Sequence, residues 1–340
     1  MKRGEFFNAS IRKNYCCLSP ASLLCSVSVN DSVNSTWLNG LKDIATANSF
    51  RYSLSPLAQI ESLKKNGYAI IPRSNEQNVC ELEKVNEFVL EYLATSRNNI
   101  SYKIWRFFNY VDTSANRHSI PLPCGDLLNS VLSKSIKSIQ QFLLSQVPED
   151  AHLVELSAIV SFPGSARQIT HSDIEYCKND FILSGFIALA DVTIENGPTC
   201  VFAGTHTESF HRHIPKSYPN MVHYSSDGYM DDGDDIRTAE ESDNTRINSQ
   251  EMEKKEEARL MKEVIGVKEV SVLLKIGDIL IFDTRVFHYG AANTSELPRA
   301  LLMFSFQEST HRGKEDRIHG FTYHLHSTVR DQYRLKDFLT

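Results

Sequence analysis

The chain has 340 residues, 41% hydrophobic and 23% charged, the balance of a globular protein with ample material for a core. Its net charge of -6 resides in one segment: between Asp227 and Glu263 thirteen acidic residues face six Lys/Arg, and the rest is close to neutral. No basic stripe and no apolar run long enough to cross a bilayer occur, which excludes nucleic acid as a partner and a membrane span. Seven scattered cysteines without C-x-x-C spacing predict reduced thiols and an intracellular location, cytoplasmic or organellar.

Residues 1–50 are rich in Ser and Cys, with Lys and Arg early, and read either as a loosely attached leader or as a targeting segment. Ser55-Pro56 then opens a helix that Asn66-Gly67 ends, and Tyr68 to Ile71 follows as a strand. Asn75 to Ala94 carries Val79, Leu82, Val85, Phe88, Val89 and Tyr92 at helical spacing. Ser101 to Val111 is extended and aromatic, and Asp126 to Leu144 is a third helix. After Pro148 the texture changes to short β-branched or aromatic runs separated by turn residues: "LVELSAIVSF", "ARQITHSD", "FILSGFIALADVT", "PTCVFAGTH", "KEVSVLLKIGDILIFD", "VFHYGAAN" and "RALLMFSFQ". Such a series predicts a β-sandwich or barrel, because a parallel sheet would need helices between its strands. The acidic block, about 225–262, is an insertion between two of these strands.

The stretch Thr170-His171-Ser172-Asp173 stands in one of these runs. On a strand, residues i and i+2 share a face, so His171 and Asp173 can converge on one ion, although the pair alone fits a polar loop equally well. His288, in "GDILIFDTRVFHYGAANTS", is the candidate third ligand. Two imidazoles and one carboxylate leave open positions on a metal, the donor set of non-haem Fe(II) oxygenases. A 2-oxoglutarate co-substrate needs a cation for its far carboxylate. Arg299, eleven residues after His288 and beyond a turn, supplies one in bidentate form.

These stretches resemble the phytanoyl-CoA dioxygenase family of Fe(II)- and 2-oxoglutarate-dependent oxygenases. The resemblance runs from about Leu57 to Gln307, through "QIESLKKNGYAIIP", "HSD", "ALADVTIENGPTCVFAGTH" and "GDILIFDTRVFHYGAANTSELPR". It implies a mainly β fold with flanking helices: a double-stranded β-helix (jelly-roll, cupin-like) core at 151–310, a helical part at 51–150 and a tail at 311–340, all in one domain. It implies His171, Asp173 and His288 as iron ligands, Arg299 as 2-oxoglutarate anchor, O2 as oxidant, and a small organic molecule or acyl thioester as substrate, with succinate and CO2 released. A carboxylate at 173 favours hydroxylation over halogenation, which needs a small residue there. Monomer or weak homo-oligomer is expected.

The chain departs from the family pattern at Ala203-Gly204-Thr205-His206, which lacks a proline, and at Gly290, where a serine can help hold the co-substrate. Gly290 is kept in the cofactor-binding set with Lys103, whose aromatic stretch also carries Arg106. Ile174, Glu175 and Tyr176, just past the ligands, are the expected substrate contacts. His206 reads as a turn residue near the site, and His211, His213, His324 and His326 as surface or tail residues. Asp231 to Asp235 lacks the order of a calcium loop, and Asp191 and Asp283 read as turn carboxylates or supports behind the ligands. Two rival readings are a cupin-type metal enzyme without 2-oxoglutarate, which Arg299 disfavours, and a non-catalytic jelly-roll binding module, which the intact triad disfavours.

Overall fold

The computed structural model describes residues 55–99, 116–174, 176, 182–212, 266–307, 329 and 332–339. The leader, the extended stretch at 101–111, the acidic block, His213 and the His324/His326 pair lie outside them. Helix α1 (Pro56–Asn66) starts where expected. Ser55 accepts from the Ala58 amide at 3.4 Å, Pro56 occupies the first turn, and Gly67 at φ 81° closes the helix with its amide on Leu63 O. The chain passes straight into β1 (Tyr68–Ile71) and then α2 (Val79–Asn99), whose Leu82, Val85, Val89 and Leu93 form a buried stripe.

The single helix expected over Asp126 to Leu144 is two, α3 (Asp126–Ser138) and α4 (Gln140–Leu144), broken at Ile139. Serine hydroxyls compete for backbone carbonyls just before the break: Ser135 donates to Val131 O and Ser138 to Ser135 O, both at 2.7 Å. The non-helical Ile139 remains buried in the core.

Strands β2 (Arg117–Pro121), β3 (His152–Ser161), β4 (Ile182–Ala188), β7 (Ile279–Asp283) and β9 (Arg299–Gln307) join β1 in a six-stranded antiparallel sheet of order β1-β7-β4-β9-β3-β2. Strands β5 (Thr199–Phe202), β6 (Glu269–Val272) and β8 (His288–Gly290) form a second sheet, order β6-β5-β8. The large sheet is covered on both faces, so β4 and β7 are buried throughout and read as continuous apolar runs. Its outer face (Ile187, Ile281, Leu302, Phe304, Phe306) packs on the helices through Val85, Val89, Leu132 and Ile136. Its inner face (Phe186, Leu280, Phe282, Leu301, Met303) meets Val201 and Val272 of the small sheet. The result is a jelly roll with helices on its outer side. The short 3-10 helix Leu335–Phe338 docks on the same outer core, with Phe338 against Phe306 and Tyr333.

Two irregularities interrupt the large sheet. In β3 the register slips between Leu153 and Glu155, so Val154 is an extra residue and Glu155 faces Ser305 on the inner side. In β4, Gly185 sits under the ring of Phe304, and a Cβ there would overlap the ring. Phe304 is fully buried and edge-on to Phe306, so it has nowhere to go. Gly185→Ala is expected to cost about 1–3 kcal/mol, read as a lowered Tm. An unchanged Tm would show that the ring can yield.

No helix among the described residues is long and apolar enough to cross a membrane. Among the same residues, Cys80, Cys124 and Cys200 are free thiols.

Candidate metal and co-substrate site

The strand expected over "ARQITHSD" does not form as such; only His171 is bridged, exchanging both backbone bonds with His288 at 2.9 and 2.8 Å. The reason is the partner's length. β8 is three residues long, so the segment meets it and the chain beyond it only at spaced points: His171 with His288, the Gln168 amide on Gly290 O, and Gly164 and Ser165 with Asn293. Two residues on, the Asp173 amide reaches Thr284 O at 2.9 Å. Backbone bonds on either side of the pair therefore aim both side chains at His288.

The three donor sets converge. His171 Nε2 lies 3.8 Å and His288 Nε2 3.4 Å from Asp173 Oδ1, and one ligand atom from each residue lies within 4.8 Å of the others. Each imidazole is held from behind by its other nitrogen, His171 Nδ1 on Ile169 O at 2.7 Å and His288 Nδ1 on Val286 O at 3.0 Å. A carbonyl can only accept, so Nδ1 carries the proton and the bare Nε2 faces Asp173, the tautomer a metal requires. Burial, and then His288, pushes the His171 pKa down to about 3, so its lone pair is free at neutral pH. Burial raises the Asp173 pKa, and Oδ2 is buried without a hydrogen-bond partner among the described residues. A desolvated carboxylate facing two imidazole nitrogens forms a donor set that a divalent ion such as Fe(II) suits.

Arg299 is equally unbalanced. It is 2% exposed at the start of β9, its Nη2 donating to Ser161 Oγ (3.1 Å) and Gly197 O (2.7 Å), while Nε has no partner among the described residues. Burial, and then the neighbouring Arg117, lowers its pKa to about 9, which leaves it protonated at neutral pH. Two buried guanidiniums near one another suit an anionic ligand. Gly197, in the Asn196-Gly197-Pro198 turn, has φ 81°, and a Cβ there would strike the carbonyl of Ala291.

Of the other expected residues, Lys103, Arg106 and Glu175 lie outside the described ones. Gly290 has both backbone polar groups engaged, its amide on Gln168 Oε1 (2.8 Å) and its carbonyl accepting from Arg117 (3.1 Å). Ile174 is 1% exposed in an apolar cluster with Val154 and Ile182. The Tyr176 ring is tilted against that of His211, with centroids 5.2 Å apart, and lies under the Arg285 guanidinium. His206 is in the turn after β5, bonded to Lys64 O. His211 is no bare surface residue, since it bonds Arg285 O at 2.8 Å and packs on Phe287. Asp191 accepts from the Ile276 amide and pairs with Lys275, and Asp283 pairs with Arg285.

Two buried charged residues carry no clear signal in the sequence. Arg117 stands in "SANRHSIPLP", where no alternation marks a strand. Glu155 alternates with Ser157, Ile159 and Ser161 onto the inner face of β3, where it accepts from Ser157 (3.1 Å) and Ser305 (2.9 Å). Burial drives its pKa up to about 8, with Asp173 adding to the effect. A carboxyl whose folded pKa lies above its unfolded value is destabilised as pH rises through the interval between them, here about 4.5 to 8. In metal-free protein, Glu155→Gln is therefore expected to raise Tm more at pH 8 than at pH 5. An equal gain at both would refute the raised pKa.

The phytanoyl-CoA dioxygenase (PhyH) family model matches residues 63–301. No curated protein matches by sequence. Among solved structures, the chain is similar to the non-heme alpha-ketoglutarate-dependent carbocyclase SnoK from nogalamycin biosynthesis (TM-score 0.50, 16% identity, 76% of this chain and 85% of that one). It is also similar to the epimerase SnoN from the same pathway (0.43, 16%, 75% and 84%). A third is HygX from Streptomyces hygroscopicus, solved with nickel and 2-oxoglutarate bound (0.44, 13%, 78% and 94%). The likeness to SnoK supports the jelly-roll fold, and the family match supplies the chemistry that the triad and the buried arginine independently suit. The chain belongs to the phytanoyl-CoA dioxygenase family, whose members are oxygenases dependent on iron, 2-oxoglutarate and O2.

Proposed function

We propose that this oxygenase hydroxylates a small organic molecule or an acyl thioester, with His171, Asp173 and His288 as iron ligands and Arg299 as the anchor of 2-oxoglutarate. The observation that carries the assignment is the convergence of two bare Nε2 atoms on a carboxylate whose second oxygen lacks a partner among the described residues. When bound, iron with 2-oxoglutarate and O2 supplies the oxidising power, releasing succinate and CO2.

The chain's own residues have three tasks. Ile169 O and Val286 O hold the two imidazoles in one tautomer and orientation, so metal binding needs no rotation of either ring. Arg299, fixed by Ser161 and Gly197, keeps Nε available to receive the co-substrate's far carboxylate. Phe282, 5.2 Å from the His288 ring, and Phe186 beyond it wall one side of the site with apolar surface, which excludes water from the oxidation. Asp173 keeps a carboxylate where a halogenase would need a small residue, which supports hydroxylation.

The test is succinate release from Fe(II) and 2-oxoglutarate, first without substrate, then across a panel including acyl-CoA thioesters, amino acids and polycyclic natural products. Substrate-stimulated succinate with an oxygenated product is expected. Succinate no higher than in metal-free controls, whatever the substrate, would sink the proposal.

A further inference from the structure

Arg117 is 1% exposed on β2 and adjoins Arg299 closely enough to depress its pKa. The register places Arg117 opposite Ser161, and Ser161 opposite Arg299, so the three side chains share one row on the inner face of the large sheet. From that row its guanidinium reaches two other segments. Nη1 donates to Gly290 O (3.1 Å), and Nη2 to Ala291 O (2.7 Å), Ala166 O (3.2 Å) and, more weakly, Ser165 Oγ (3.5 Å). Gly290 and Ala291 lie just beyond His288 in the chain. Ser165 and Ala166 open the segment that ends in His171 and Asp173. Backbone bonds join those two segments at His171–His288, Gln168–Gly290 and Gly164/Ser165–Asn293, and the guanidinium adds side-chain ties between them.

We infer that Arg117 is a positioning residue for the metal centre: its planar fork ties the chain before His171 to the chain after His288 and so sets the separation of the ligands. This role rests on the proposed assignment of His171, Asp173 and His288 as the metal ligands. A lysine cannot do the same, since one ammonium has no planar fork to satisfy several carbonyls at once. The absence of a side chain at position 290 belongs to the same device. A Cβ there would overlap Arg117 Nη1 and the Gln168 side-chain oxygen, so any side chain at this position would displace the guanidinium or the Gln168 amide. Gln168 completes the clamp, its side-chain oxygen on the Gly290 amide and its backbone amide on the Gly290 carbonyl.

The experiment is anaerobic Fe(II) titration of the purified full chain, with Tm measured beside it, for wild type, Arg117→Ala, Arg117→Lys, Gly290→Ala and the double variant R117A/G290A. Removing a group that orients ligands costs about 10–100-fold in metal affinity. Arg117→Ala is expected in that range, Arg117→Lys between it and wild type, and Gly290→Ala close to Arg117→Ala. The double variant should bind no worse than Arg117→Ala alone, since the added Cβ then fills the vacated space; such non-additivity is the sign of contact. An arginine that merely stabilises the fold would lower Tm and leave the metal Kd of folded protein within about twofold, which would overturn the inference. If Arg117→Ala yields no soluble protein, Arg117→Lys and Gly290→Ala decide: wild-type affinity in both overturns it. Failure of wild type itself to bind Fe(II) would instead bring down the ligand assignment, and the role of Arg117 with it.

Discussion

Asp173→Ala is expected to abolish Fe(II) binding while leaving the metal-free protein as stable as wild type, or more so. The side chain is a desolvated carboxylate with one oxygen unpartnered among the described residues, so without metal it is a burden on the fold. With metal it is the single carboxylate ligand beside two imidazoles. Even groups behind a ligand contribute about 10–100-fold to affinity, so loss of the ligand itself should exceed about 100-fold. A Tm scan separates the two roles. Iron at about 100 times Kd should stabilise wild type by about 2.7 kcal/mol and leave Asp173→Ala unmoved. Equal Fe(II) affinity in the two proteins would dismiss the triad as a metal site.

Arg299→Ala is expected to act on the co-substrate alone. Deleting one partner of a buried, charge-assisted pair costs about 2–5 kcal/mol, and each 1.4 kcal/mol is about tenfold. The KM for 2-oxoglutarate should therefore rise on the order of 100-fold, with Fe(II) affinity near the wild-type value. Arg299→Lys should recover part of the loss, because a point charge replaces the fork without its second hydrogen bond. Uncoupled succinate formation against 2-oxoglutarate concentration reads both. An unchanged KM would leave the iron site standing and remove Arg299 from the co-substrate's binding.

The proposed ligands and the arginine are legible in the sequence because their chemistry is written in short range. His171 and Asp173 are two apart, His288 and Arg299 are separated by one turn, and the second stretch carries its own glycine and asparagine punctuation. Helix α1 is legible for the same reason, with its cap, proline and terminal glycine inside about a dozen residues. The burial of Glu155 is not, because alternation puts it on one face with Ser157 and Ser161 and only the assembled fold covers that face. Nor is the failure of "ARQITHSD" to become a full strand, which depends on a distant partner having only three residues to offer.

The sequence by itself determined the donor types, their spacing and the alternation of strands and turns, since these follow from side-chain chemistry and local backbone preference. The carbonyl two residues before each imidazole holds its Nδ1 locally, but only the tertiary structure brought the two Nε2 atoms together on Asp173, through the paired backbone of two distant segments. It alone placed Arg117 against Gly290, 173 residues apart in the chain. Such a contact arises from sheet register across β2, β3 and β9, and register is a property of the assembled sheet, with no trace in any one strand.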